Sequence, residues 1–169
     1  MANTQAMCTS FMGQLLTGTH NFGTGVTRGS TAADSFQAAL FLASATINAS
    51  TTAYTGTVGS VAMSGEVSGT GYTAGGVAIT SWNAPTATNS STTAGVAFTT
   101  PTASFTYTTV TLTTAFDAVL IFNNSQGSSG NRPAVSVHTF GSQTITAGTF
   151  TLTMPTNNTT NALLRLSTT

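Results

Sequence analysis

Lysine is absent from this chain, and the ionic side chains of all 169 residues come to three arginines and three acids: Arg28, Arg132, Arg165, Asp34, Glu66 and Asp117. Charged residues make up 4% of the sequence, against about 25% in an ordinary soluble domain. Three scattered arginines cannot neutralise a phosphate backbone, so nucleic acid is not an expected partner. Charge repulsion between copies is equally weak, which favours self-association or packing into a larger assembly. Cysteine is nearly absent too: with Cys8 alone there is no internal disulfide. The first residues lack a basic stretch followed by an apolar core and a cleavage site, so no signal peptide is expected. Both absences fit folding in a reducing cytosol. No apolar run approaches the roughly 20 residues that cross a bilayer as a helix, so no membrane partner is expected either.

Hydrophobic residues stand at 40%, enough for one globular domain with a core. Threonine, serine, asparagine and glycine fill the polar positions. Threonine suits the pleated, half-buried surface of a strand. Met7, Cys8, Phe11, Met12, Leu15 and Leu16 recur at helical spacing, which predicts an amphipathic helix over Thr4 to Thr17, capped by Asn3 or Thr4 and ended by Gly18. Its apolar stripe packs on its own domain or, as an arm, on a neighbouring subunit. Met7, Phe11 and Leu15 are the candidate assembly residues in the second case.

The rest reads as β structure. Ser35 to Ser44 is a strand with Phe36, Ala38, Leu40 and Leu42 on one face and Phe41 on the other, hence central. Ala49 to Gly65 is irregular, with Tyr54 and Met63 as anchors. Val77 and Ile79 lead to Trp82, and Pro85 to Thr93 is a polar loop. Phe105 and Tyr107 are odd-numbered while Val110 and Leu112 are even, so a bulge or corner is expected near Thr108 and Thr109. Phe116 to Phe122 is a core strand and Asn123 to Asn131 a turn. A strand from Val135 ends near Phe140, Ala147-Gly148 is a turn signal, and Phe150, Leu152 and Met154 point inward while Thr149, Thr151 and Thr153 point outward. Ala162 to Leu166 closes the chain. Eight or so short strands with turns at intervals of about 8–12 residues predict a mainly β fold, a β-sandwich or jelly roll with a short N-terminal helix. The organisation is a helix or arm over residues 1–18 and a β-sandwich domain over 19–169.

Glu66 to Gly76 holds the densest glycine run, with Gly69, Gly71, Gly75 and Gly76 around Tyr72. Such a stretch is a shaped loop. Glu66 at its head either accepts backbone N–H groups, meets an arginine, or is a solvated acid. Gly69 to Ala74 matches G-x-G-x-x-A formally, but no buried strand precedes it and Gly75-Gly76 would break the following helix, so it is no dinucleotide site. His20 and His138 could join Asp34 or Asp117 and some serine, yet serine is abundant and no G-x-S-x-G elbow exists. His138 alternates with Val135 and Val137 and is expected to face solvent. No close-spaced ligand set suggests a metal. No catalytic, cofactor-binding or metal residues are therefore assigned, and an enzyme is not expected. Thr109, Thr111 and Thr113, Thr144 and Thr146, and Thr149, Thr151 and Thr153 alternate, but nothing repeats in register as an ice-binding ladder would. A β-forming solvent face accounts for them.

The opening "MANTQAMC" with Phe11 and Leu15-Leu16, the run Phe36 to Leu42, Thr51 to Tyr54, Glu66 to Gly76, "AVLIFNN" at Ala118 to Asn124, Gly148 to Leu152 and Asn161 to Leu166 together resemble a set of small tailed-bacteriophage virion proteins. The resemblance spans nearly the whole chain and implies a structural protein of the particle, made in the host cytoplasm, with no catalytic residues to carry over. Within the virion the expectation is a capsid decoration or cement protein that contacts the major capsid protein and itself, as a dimer or trimer. The rival expectations are a tail or fibre component, or a surface carbohydrate-binding module using Trp82, Tyr72 or Tyr107 as exposed stacking platforms.

Overall fold

Two adjacent strands, β7 (Phe105–Asn123) and β8 (Arg132–Leu152), form an antiparallel hairpin on which the other elements are laid. The computed structural model describes residues 2–22, 33–88 and 95–168. Arg28, most of the loop expected from Thr19 to Thr31, and residues 89–93 of the expected polar loop lie outside them. Before the hairpin come β1 (Ala6–Met7), α1 (Thr9–Leu16), β2 (Phe36–Leu42), β3 (Ala53–Tyr54), β4 (Val77–Ile79), β5 (Thr86–Thr88) and β6 (Val96–Thr99); β9 (Leu164–Ser167) follows it. The main sheet runs β1-β8-β7-β2-β4, with β3 also paired to β8, and a smaller sheet runs β5-β6-β9. All the pairings are antiparallel. The fold is mainly β and sandwich-like, with one short helix near the N-terminus.

The hairpin bends back on itself. Phe140 and Phe150 are ten residues apart on β8, a span of about 33 Å in a straight strand. Their ring centroids lie 5.3 Å apart, and both rings pack on Phe116. Register shifts along β7–β8 accommodate the turn, as bulges do where a sheet coils over itself. One is the expected break at Thr108–Thr109: the ladder slips between Tyr107 and Val110, and Thr109 sits at φ 54°. The Tyr107 hydroxyl, carried back over β2 by this bend, donates to the Ala38 carbonyl at 2.7 Å.

Three expectations need correction. The Phe105–Leu112 and Phe116–Phe122 strands are one strand, and so are the two expected either side of Ala147-Gly148. Ala147 takes φ 47° as a bulge residue, so the ladder passes through what locally reads as a turn. The loop from Pro85 contains the short strand β5. The helix starts at Thr9, not Thr4, because the preceding backbone is used across the chain. Thr4 N donates to the Ile47 carbonyl, Ala6 and Met7 pair with β8, and Cys8 N donates to the Val135 carbonyl. Gly18 at φ 66° ends the helix as expected, its N–H returning to the Leu15 carbonyl.

The core is continuous: Cys8 and Phe11, both faces of β2, and the Phe116–Phe122 run with Ala134, Val135 and Val137. β2 is central, with Ala38, Ala39, Leu40 and Phe41 all fully buried between β7 and β4. Among the described residues no helix is long and apolar enough to cross a membrane.

Candidate functional site

Glu66 organises the glycine-rich loop. β4 pairs with β2 as far as Ala38–Val77, and an isolated bridge joins Phe41 to Glu66 further along the same edge. The ten residues between Glu66 and Val77 therefore leave and regain one edge of β2. The carboxylate that closes this loop is 5% exposed. Oε2 accepts the Tyr54 hydroxyl at 2.7 Å and Met63 N–H at 2.8 Å, while Oε1 accepts the Tyr72 hydroxyl at 2.8 Å and Gly75 N–H at 2.7 Å. Four donors occupy the acceptor directions of one carboxylate. Of the sequence alternatives, backbone capture holds, joined by two tyrosine hydroxyls; no arginine among the described residues is involved, and the acid is not solvated.

The glycines serve close approach. A Cβ on Gly76 would overlap the Ala38 carbonyl, and one on Gly69 or Gly71 would overlap the Thr111 or Thr109 carbonyl of β7. The loop thus lies directly on backbone of both β2 and β7, and Thr111 N donates to Thr70 O at 2.9 Å. Tyr54 stacks on Phe122 with centroids 4.2 Å apart, and Tyr72 stacks on Tyr107 at 6.1 Å. Burial, followed by the Glu66 negative charge and hydrogen bond, pushes Tyr54 above the usual phenol range. Tyr72 and Tyr107 are raised by burial first and the Glu66 charge second. A carboxylate with its lone pairs filled is a poor general base, so the site is structural in its chemistry.

His20, Asp34 and Asp117 are engaged as well. Asn123, in the core at the end of β7, donates to His20 Nδ1 at 3.0 Å and to Asp34 Oδ2 at 2.7 Å, and His20 Nε2 faces Gln14 Oε1 at 2.8 Å. With Nδ1 accepting, Nε2 carries the proton toward Gln14, so the ring is a structural crosslink. Asp34 further accepts Asn21 N–H and the Gln126 amide. Asp117 accepts the Asn3 carboxamide at 2.6 Å, and the same amide reaches the Leu42 carbonyl. Asn3 is not the helix cap it was expected to be, since Cys8 holds that position without a side-chain cap and the Asn3 amide crosslinks distant segments instead; Asn123 was missed, its one available signal being an amide directly following the apolar run that ends at Phe122. His138 is not solvent-facing as expected but half-buried beside Ser136, because β1 covers this side of β8. No described group of three or more His, Cys, Asp or Glu is placed to hold a metal ion.

The candidate assembly residues divide. Phe11 is 2% exposed and belongs to the chain's own core. Met7 and Leu15 are half-buried and line an apolar recess of about 100 Å³ together with Phe22, Phe98 and Leu166. The side chains that α1 offers to solvent are Met12, 47% exposed, and Leu16, 91% exposed. The proposed stacking platforms are not available: Trp82 and Tyr107 are buried and Tyr72 is half-buried with its hydroxyl engaged. Trp82 packs edge-on against Phe22 and Phe36.

No protein-family model matches this chain, and no curated protein or solved structure is significantly similar to it.

Proposed function

We infer that this chain is a non-enzymatic structural protein of a tailed-phage virion, and within it a capsid decoration or cement protein. The observation that carries the reading is the engagement of all three acids within the fold together with a sparsely charged, locally apolar exterior. Glu66, Asp34 and Asp117 are bound within the fold, while Leu16, Met12, Leu166 and Val61 are the large apolar side chains left in solvent. Three of these, Leu16, Met12 and Leu166, lie on α1 or on β9, two of the elements that line the apolar recess. The resemblance of the sequence to small virion proteins supports the same reading.

In this role the protein bridges neighbouring capsid subunits through apolar and backbone contacts and associates with its own copies as a dimer or trimer on a symmetry axis. Few charges take part, so binding depends little on salt. The deciding experiment is quantitative mass spectrometry of purified particles for copy number relative to the major capsid protein. A ratio near that of the shell protein supports the lattice role. A few copies per particle overturns it and moves the chain to the tail or a fibre.

A further inference from the structure

A groove of about 410 Å³ lies between β1, β8 and the segment 161–165, and its polar wall consists of Gln5, Ser136, His138, Asn161 and Arg165. Ser136 and His138 share one face of β8 as residues i and i+2, and Ser136 Oγ lies 2.9 Å from His138 Nε2. Burial pulls the imidazole down to about 4, so near neutral pH the pair carries two polar hydrogens, one on the hydroxyl and one on the ring. One of them makes the bond between the two residues. In either tautomer the second has no acceptor among the described residues: it is the hydroxyl hydrogen if the ring donates, and Nδ1–H if the serine does.

Arg165 adds donors and no acceptor. One guanidinium N–H is tied to the Thr160 carbonyl, which anchors the group at the rim. Among the described residues no carboxylate lines the groove, and Asp117 is held elsewhere by Asn3. No Phe, Tyr or Trp lines it either, so it lacks the broad platform on which a sugar would stack. What remains is a cavity of ligand size in which the one charged group and the spare hydrogen of the Ser136–His138 pair are donors, while the Gln5 and Asn161 carboxamides can turn either an N–H or an oxygen inward.

We propose that this groove is an oxyanion-binding site, in which Arg165 and the spare hydrogen of the Ser136–His138 pair hold a carboxylate or phosphate group and the Gln5 and Asn161 amides flank it. Binding here is independent of the virion role and goes beyond it.

The test is an NMR titration of the whole chain with sodium acetate and, separately, inorganic phosphate, at ionic strength held constant with chloride. Saturable shifts are expected at the His138 ring and at the Gln5 and Asn161 side-chain amides. Loss of one charge-assisted contact in Arg165→Gln weakens binding roughly tenfold or more. Arg165 is exposed, so this variant keeps the fold, which its spectrum verifies; Ser136→Ala should weaken binding in the same assay. Saturation with acetate alone, phosphate alone or both supports the site and names the class of anion. Shifts that never saturate with either anion, or that are unchanged in Arg165→Gln, overturn it.

Discussion

The Tyr72 hydroxyl accepts the backbone N–H of Leu40 at 3.0 Å. Leu40 lies on the stretch of β2 that the glycine-rich loop leaves uncovered between the Phe41–Glu66 bridge and β4. A side chain thus fills a gap in a sheet edge, while Val67 N–H takes the Leu40 carbonyl at 3.0 Å. The same hydroxyl donates to Glu66 at 2.8 Å, so strand and carboxylate are satisfied by one oxygen.

Tyr72→Phe removes that oxygen and leaves a buried N–H and a carboxylate oxygen each one partner short. The expected loss is about 1–3 kcal/mol, read by chemical denaturation, with faster hydrogen exchange at the Leu40 amide. Glu66→Gln affects all four donors at once and should cost more, on the order of 3 kcal/mol. Equal costs for the two variants would mean that Glu66 is not the centre of the network.

Alkaline unfolding should be steep. The chain has three tyrosines, and all three have folded-state values raised above the ordinary 10.0 by burial first and by Glu66 second. Above pH 10 the unfolded chain ionises while the folded one resists, so stability present below that pH is lost as pH rises through the folded values. Phenolate absorbance should therefore appear together with the loss of β circular dichroism. Tyrosines that titrate gradually in a folded protein would contradict the network.

Two glycines should respond oppositely to alanine. Gly76 has φ 71° and its added Cβ would overlap the Ala38 carbonyl; neither backbone can yield, and a loss of roughly 3 kcal/mol or more is expected. Gly13, inside α1, has open space where the alanine methyl would stand, with nothing within 4 Å. Gly13→Ala should stabilise the protein by about 0.5–1 kcal/mol. Thermal melts of the two variants check both signs.

Cys8 should be inert in the native state. It is fully buried and free, and burial pushes its thiol up to about 12, whereas the reactive form is the thiolate. A disulfide reagent near pH 8 should label it only as the protein unfolds. Prompt labelling of the folded chain would place Cys8 at an accessible surface.

Local sequence pattern determined which residues face inward on either side of the slip at Thr108–Thr109, that slip itself, the end of the helix at Gly18 and a shaped glycine loop over Glu66 to Gly76. These features follow from side-chain alternation, a change of parity, and the need for glycine where φ is positive or backbones touch, all of which act within a few residues. Tertiary structure alone decided that Thr4 to Met7 leave the helical pattern, since their hydrogen-bond partners lie at Ile47 and on β8. It also joined four expected strands into two, because a register shift between Leu112 and Phe116 and a bulge at Ala147 carry the ladder through bends that read locally as ends. The burial of Trp82 and Tyr107, the half-burial of His138, and the crosslinks through Asn3 and Asn123 depend on segments brought together across up to 114 positions. A polar residue beside a hydrophobic run reads the same in sequence whether it ends in water or in the core; which neighbours arrive to bond it is settled only when the sheets close.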